Sequence, residues 1–480
     1  MAEKFYSEQL ADIYCGHAIE VFKQLPDESV QLCMTSPPYW GLRNYSGGSD
    51  IVWGGDPNCQ HVFEGSEYHE HRAEEVVSGK SRTTERFYGS PSRKFNNDVQ
   101  RHYSNVLCVN CGAFKGQLGL EPTPELYVEH LMLIFKEVKR VLKREGSFWL
   151  NLGDTYSASP TGSLGKTDTA WERPSRTEST ESRKMANRKF NMPPKCMVCI
   201  PERVMLAMIS DGWSLRNKCI WHKSNSMPGS QKDRLTCSWE YLYFFTKNNT
   251  AILWRNELTG EWRDKEPTRD EKYPLGGRYR NISTGEVVWE RPKNTKEWEH
   301  LTPVWHGFDY YFELDQIRVP HQTQSLERYQ RQVNFGDRRP DNKYLDSPPY
   351  PDGVQPVLRE GHTDRVPKWF KETFPYTDPL HTKDYSPLGK NPGDHLEITT
   401  APFKGAHFAV YPERLCEMPI RACSRVGDVV LDMFAGSGTT GVVAKRLGRK
   451  AILIDVVEKY CIMARYRVQG VEYQPELETK

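Results

Sequence analysis

Apolar and polar positions along this chain fall into regular stretches separated by long polar ones. Between residues 11 and 35 the pattern reads strand, helix, strand. Ile13-Tyr14-Cys15 is a short apolar run, and positions 18, 19, 21, 22 and 25 make one apolar helical face. Val30 to Thr35 is strand-like again, and Ser36-Pro37-Pro38-Tyr39 stops it abruptly. Thr123-Pro124 opens a second helix, with Thr as N-cap and Pro at the first helical position. Tyr127, Leu131, Ile134, Phe135, Val138, Val141 and Leu142 form its apolar stripe. The pattern ends that helix at Glu145-Gly146 and starts a strand over 147–152.

A helix over 201–209 and strands over 213–221 and 240–246 follow. The final stretch is regular: helix 412–423, strand 429–434, the tight turn Ala435-Gly436-Ser437-Gly438, helix 439–447, strand 451–455 and helix 458–466. Strands that alternate with helices in this way predict an α/β fold built on a doubly wound, mostly parallel sheet.

Composition explains the gaps. A chain of 480 residues has room for about three domain-sized units. Its 37% hydrophobic content and mean hydropathy of −0.71 are polar for that length, which assigns much of it to loops and insertions. Residues 46–116 are polar and Gly-rich. Residues 157–195 carry eight basic against four acidic side chains, which fits a disordered insertion as well as a DNA-contacting loop. In 248–400, Trp, Pro and charge alternate in short strand-like runs such as Glu286-Val287-Val288-Trp289, so this region reads as a second, irregular domain. The 12% aromatic content and the lack of repeats exclude coiled coil, collagen and full disorder.

A net charge of +2 leaves any nucleic-acid affinity to local basic clusters. No run of ~18 apolar residues offers a membrane span, and no apolar leader is visible, so a cytoplasmic protein without a membrane partner is expected. The 12 cysteines include single ones in apolar stretches, such as Cys33 and Cys219, which fits a reduced compartment.

Three constellations carry chemistry. The first is the turn at 434–438 between a strand and a helix, with Asp455 at the end of the next strand, 19 residues after Gly436. Open α/β sheets hold adenosine-type cofactors this way: the glycines admit the backbone and the acid takes the ribose hydroxyls. Such turns also occur for packing alone. Even with Gly441 completing G-x-G-x-x-G, the turn does not separate a dinucleotide from S-adenosylmethionine. The second is Ser36-Pro37-Pro38-Tyr39, where two prolines remove N–H donors and leave carbonyls, a hydroxyl and an aromatic face for a flat ring bearing an amino group. Taken alone, Pro-Pro is also a plain strand terminator. The third is Cys59-x-His61 with Cys108-x-x-Cys111, followed by Gly112, which is a zinc-knuckle turn and predicts one structural zinc; the other reading is unlinked thiols on loops. Cys196-x-x-Cys199, just before a helix, reads as core.

Together these residues resemble the S-adenosylmethionine-dependent amino-methyltransferases of DNA. Ser36-Pro37-Pro38-Tyr39 matches the family's [DNS]-P-P-[YFW] motif, and Phe434-Ala435-Gly436-Ser437-Gly438 its F-x-G-x-G motif. The catalytic motif precedes the cofactor motif by roughly 400 residues, as in the permuted beta group. Asp432 matches the acidic position before the cofactor motif, and His407-Phe408-Ala409-Val410-Tyr411-Pro412 resembles the segment that covers the methionine end. Trp221 to Asn225 and Trp239 to Phe245 resemble the later catalytic-side strands. Gly16-His17 stands where the family usually has Gly-Asp.

The resemblance implies a catalytic half in 1–45, an insertion with the zinc site in 46–120, continued core in 121–247 with a basic loop at 157–195, a target recognition domain in 248–400, and a cofactor half in 401–480. It implies catalysis by Ser36, Pro37, Pro38 and Tyr39. It implies S-adenosylmethionine held by Asp432, Phe434, Ala435, Gly436, Ser437, Gly438, Thr439, Asp455, His407 and Phe408. The substrate it implies is double-stranded DNA with its target base flipped out. A cognate restriction endonuclease is the implied partner, in a bacterial, archaeal or phage-encoded system. Within the family a first Ser is usual for cytosine N4, whereas Asp or Asn is usual for adenine N6. An adenine-N6 enzyme of the same fold, a nucleic-acid-binding protein with an inactive core, and a methyltransferase of RNA or protein are the rival readings.

Overall fold

The computed structural model describes residues 4–41, 51–63, 107–157, 192–193, 195–226, 232–247, 253–321, 389–400 and 410–471. The chain divides into two compact units. One comprises Met1–Pro37, Phe135–Gly153 and Met205–Lys480; the other comprises Pro38–Ile134 and Asp154–Val204.

The first unit is built on a nine-stranded sheet. Its strands are β1 (Lys4–Glu8), β2 (Ala11–Cys15), β3 (Val30–Thr35), β6 (Leu142–Leu152), β7 (Trp213–His222), β8 (Trp239–Lys247), β15 (His395–Glu397), β16 (Val429–Asp432) and β17 (Lys450–Asp455). They lie in the order β1-β2-β17-β16-β3-β6-β8-β7-β15. The five central strands from β2 to β6 are parallel, and β15 is parallel to β7; β1 on β2, and β8 on both β6 and β7, are antiparallel. All six residues of β3 are buried, as expected of a strand with both faces covered.

Strands from the two chain ends therefore interleave, with β16 and β17 seated between β2 and β3. From β16 the chain continues through α5 (Thr439–Arg446) to β17 on one side; from β3 it continues to β6 on the other. The topology reverses between β16 and β3, and open α/β sheets take ligands beyond the strand ends at such a point. Helices α1 (Ala18–Phe22), α4 (Glu413–Cys423), α5 and α6 (Glu458–Gln469) supply apolar residues such as Val21, Ile420, Val443 and Met463, all fully buried.

Helix α2 (Pro124–Val141) ends four residues earlier than the periodicity suggests, and β6 begins at Leu142. Leu142 prolongs the apolar stripe, yet it pairs with Val30 across the sheet, so burial is common to both states and hides the boundary. Gly146 thus falls inside the strand, at a position that excludes a side chain because a Cβ there would sit 2.9 Å from the Gln31 carbonyl oxygen.

Residues 253–321 form two small antiparallel sheets, β10-β9-β14 (Trp262–Arg263, Leu253–Asn256, Trp305–Phe308) and β12-β11-β13 (Val287–Val288, Tyr279–Asn281, Trp298–His300). Cations stack on their tryptophans: Arg263 over Trp305, Lys272 over Trp254 and Arg269 over Trp289. The following segment is tied to the sheet unit by Tyr311 N–H donating to Glu145 O and Glu313 N–H to Ala422 O. The second unit contains the pair β4 (Ile51–Trp53) and β5 (Phe114–Gly116). There Asp154 accepts N–H bonds from Thr155, Cys199 and Ile200 at the start of α3 (Ile200–Ser210). Cys196 is half-buried, Cys199 is exposed with φ of 59°, and the buried residue between them is Val198, so the expectation of a core position for this cysteine pair is corrected. No described helix is long and apolar enough to cross a membrane.

Two glycines with similar positive φ test this packing. Gly438 (φ +78°) has the Ala464 Cβ 2.7 Å from where its own would be, whereas Gly470 (φ +75°) faces open space. Gly470→Ala should cost ~1–2 kcal/mol of left-handed strain, and Gly438→Ala a further ~1–3 kcal/mol of overpacking. Urea denaturation of both variants checks this; equal losses would contradict it.

Candidate active site

Asp432 ends β16, and Thr35 ends the adjacent β3. Both are fully buried. Asp432 Oδ1 accepts from the Thr35 hydroxyl at 2.6 Å and the Phe434 N–H at 3.1 Å. Oδ2 accepts from the Thr440 hydroxyl at 2.6 Å and the Tyr411 phenol at 2.8 Å. Burial pushes the Asp432 carboxyl above its ordinary range, and the four donors pull against that. Four segments thus meet on one carboxylate: the strand before Ser36, the approach to α4, the Gly turn and the first turn of α5.

The turn itself sorts into two kinds of residue. Ser437 and Thr439 are buried, and their hydroxyls accept from Arg467 Nη1 at 2.7 and 2.9 Å; the same nitrogen donates to Ser437 O. Gly438 packs on Ala464, and a Cβ on Gly441 would sit 2.5 Å from Leu453 Cδ1, so these two glycines serve helix packing. Ala435 is nearly buried, while Phe434 and Gly436 are partly exposed; Gly436 has φ of 50°. Asp455, at the end of β17, accepts from Gly436 N–H at 2.8 Å and Val457 N–H at 2.9 Å and keeps part of its surface exposed. Desolvation pushes its pKa up to about 6 against those backbone bonds.

Ser36 follows Thr35 directly and is half-buried; Pro37 is buried, and Pro38 and Tyr39 are half-buried. The Pro38 carbonyl accepts from the Tyr127 hydroxyl at 2.7 Å. On the neighbouring strands Trp221 faces Glu240 and His222 faces Trp239. Glu240 accepts from Lys223 Nζ, and from Asn151 Nδ2 at 3.3 Å. His17 takes the N-cap of α1, its Nδ1 accepting from Ile19 N–H at 3.3 Å. Burial lowers its pKa to about 4, so the ring stays neutral and serves as the acceptor an Asp would be at that cap. His407 and Phe408 lie outside the described residues.

Cys59, His61, Cys108 and Cys111 come together, with their ligand atoms all within 4.8 Å of one another.

The model of the DNA methylase family N6_N4_Mtase matches residues 30–465. The chain belongs to that family. It is 28% identical to the Type II methyltransferase M.SfiI of Streptomyces fimbriatus over 97% of this chain and 92% of the relative. It is 22% identical to the Type II methyltransferase M.SmaI of Serratia marcescens over 95% and 90%. Among solved structures it is similar to PvuII DNA methyltransferase (cytosine-N4-specific), with a TM-score of 0.44, 14% identity and coverage of 99% and 92%.

This methylase is accordingly a DNA methyltransferase that takes its methyl group from S-adenosylmethionine. The strand ends fit that donor. Asp455 is a partly exposed acceptor held in a desolvated place, which suits ribose hydroxyls; Gly436 admits the backbone, and Phe434 offers an aromatic surface. Sequence reasoning missed Thr35, Tyr411, Thr440 and Arg467. For Thr35, Tyr411 and Thr440 the signal was present as hydroxyl residues near the motifs, but their common partner Asp432 is visible only once the strands are side by side. Arg467, which donates to Ser437 and Thr439, had no such signal.

Proposed function

We propose that this methyltransferase acts on the N4 amino group of cytosine in double-stranded DNA. In this reading Ser36, Pro37, Pro38 and Tyr39 are the catalytic segment. Phe434, Ala435, Gly436 and Asp455 line the cofactor cradle, Ser437, Gly438 and Thr439 hold the turn that shapes it, and Asp432 acts as its brace instead of touching the ligand. The observation that carries it is the Thr35–Asp432 bond, which fixes the residue before Ser36 to the residue two before Phe434. Bound S-adenosylmethionine supplies an electrophilic sulfonium methyl. The Ser36 hydroxyl and the Pro37 carbonyl accept hydrogen bonds from the amino group. These bonds favour a pyramidal nitrogen whose lone pair is aimed rather than delocalised, so catalysis is chiefly positioning. The base must leave the duplex to reach this segment, and Tyr39 provides the ring on which it stacks.

The neutral Ser36 hydroxyl favours cytosine over adenine, following the resemblance in this motif. The tryptophan- and cation-rich sheets of 253–321 suit target recognition, where side chains read base edges. Similarity to Type II methyltransferases supports a restriction–modification setting with a cognate endonuclease.

Asp455→Ala should weaken S-adenosylmethionine binding by ~1.5–3 kcal/mol, read by titration calorimetry. The ionised carboxylate is the better acceptor, so wild-type affinity should fall as pH drops through about 6. A pH-independent affinity would remove Asp455 from the ribose site. Nucleosides from methylated DNA, analysed by mass spectrometry, should contain N4-methylcytosine; N6-methyladenine alone would overturn the cytosine reading. Ser36→Ala should lower turnover by on the order of tenfold or more with cofactor affinity kept, and normal turnover would exclude the hydroxyl.

A further inference from the structure

We propose that Cys59, His61, Cys108 and Cys111 hold one zinc ion, and that this ion braces the Pro38–Gly41 end of the catalytic segment. Tetrahedral zinc with the usual bond lengths sets ~3.8 Å between two sulfurs and ~3.6 Å between a sulfur and an imidazole nitrogen. Cys59 Sγ and Cys108 Sγ are 3.9 Å apart, and Cys111 Sγ and His61 Nδ1 are 3.3 Å apart. The sulfur pair is far beyond the ~2.05 Å of a disulfide. With all four ligand atoms within 4.8 Å, the space suits a single ion, and three thiolates with one imidazole select zinc. The chain is shaped around these groups. Gly112 (φ +75°) follows the C-x-x-C, and a Cβ on Gly55 would lie 2.8 Å from Cys111 Sγ. Four protein ligands leave no position for water, so the role is structural.

A continuous set of contacts leads from this site to the catalytic segment. The Cys111-Gly112-Ala113 turn runs into Phe114 of β5, and β5 pairs with β4, which carries Trp53. Both rings stack on His130, at centroid distances of 5.6 and 5.1 Å. His130 Nδ1 lies 2.9 Å from Glu121 Oε1, and both residues are buried. Glu121 Oε2 accepts from Gly119 N–H at 2.7 Å, and its backbone carbonyl accepts from Trp40 Nε1 at 3.0 Å. The Gly119 carbonyl accepts from Gly41 N–H at 2.8 Å. Gly119 passes so close that a Cβ would lie 3.2 Å from Tyr39 O. Metal, aromatic pair, histidine and carboxylate thus form one scaffold under residues 38–41. That these residues serve catalysis rests on the function proposed above; the metal and the coupling do not.

The test uses the full chain purified without chelators. Elemental analysis should find about one zinc per chain, lost in Cys108→Ser and Cys111→Ser and kept in Cys237→Ser. Removal of zinc from the wild type with 1,10-phenanthroline should speed hydrogen exchange at the amides of residues 39–41 on the order of tenfold or more. His130→Ala should reproduce that acceleration with zinc content unchanged, which guards against variants that merely misfold. Absence of metal, or iron in place of zinc, would overturn the site. Unchanged exchange at 39–41 after zinc removal would overturn the brace. Neither readout needs DNA or turnover, so both hold or fail independently of which base is methylated.

Discussion

One buried carboxylate holds the active-site region together. Asp432 has no contact with solvent, and its four acceptor positions are filled from four segments of the chain. An ionised carboxyl in such a place is stable only while those donors stay, because its lost hydration is replaced by them alone. The dependence is mutual. The Thr35 hydroxyl is equally buried and donates to the carboxylate, so removing that acceptor would cost it the bond, while Thr440 donates to the same carboxylate and also contacts the Tyr411 phenol. The end of β3, and with it the position of Ser36, is thereby coupled to the geometry of the Gly turn.

The segment proposed to be catalytic is flanked by two anchors of different physics, each within its own unit. Before Ser36 the anchor is this charge-assisted cluster in the sheet unit. After Pro38 it is the Glu121–His130 pair beneath stacked aromatic rings in the other unit. Positioning of an amino group by neutral acceptors offers little electrostatic stabilisation of its own, so rigidity on both sides is what such a mechanism requires.

The sheet was largely legible in the sequence, because fully buried parallel strands such as β3 and β16 read as short apolar runs bounded by Pro or Gly. The Gly turn was legible as a turn. The division of labour within it was not: Gly438 and Gly441 lack side chains for the sake of Ala464 and Leu453, and only the folded helix shows this. Asp432 stood out as a motif position, but its partner Thr35 lies 397 residues away, and no spacing rule connects them. His17 looked like a departure from the usual acid, yet a neutral imidazole serves the same cap. The helix end at Val141 was hidden because Leu142 is buried in either state. Cys59, His61, Cys108 and Cys111 were legible as ligand types, while the scaffold that joins them to residues 38–41 depends on Trp53, Phe114 and His130, ordinary core residues by pattern.

Native-state hydrogen exchange on the wild type and Asp432→Asn tests the central coupling most directly. In the wild type, the Thr35 amide and the amides of 434–440 should open with one common free energy, and in the variant both should accelerate together. Acceleration of the turn alone, with Thr35 protected as before, would show that Asp432 does not join the two motifs.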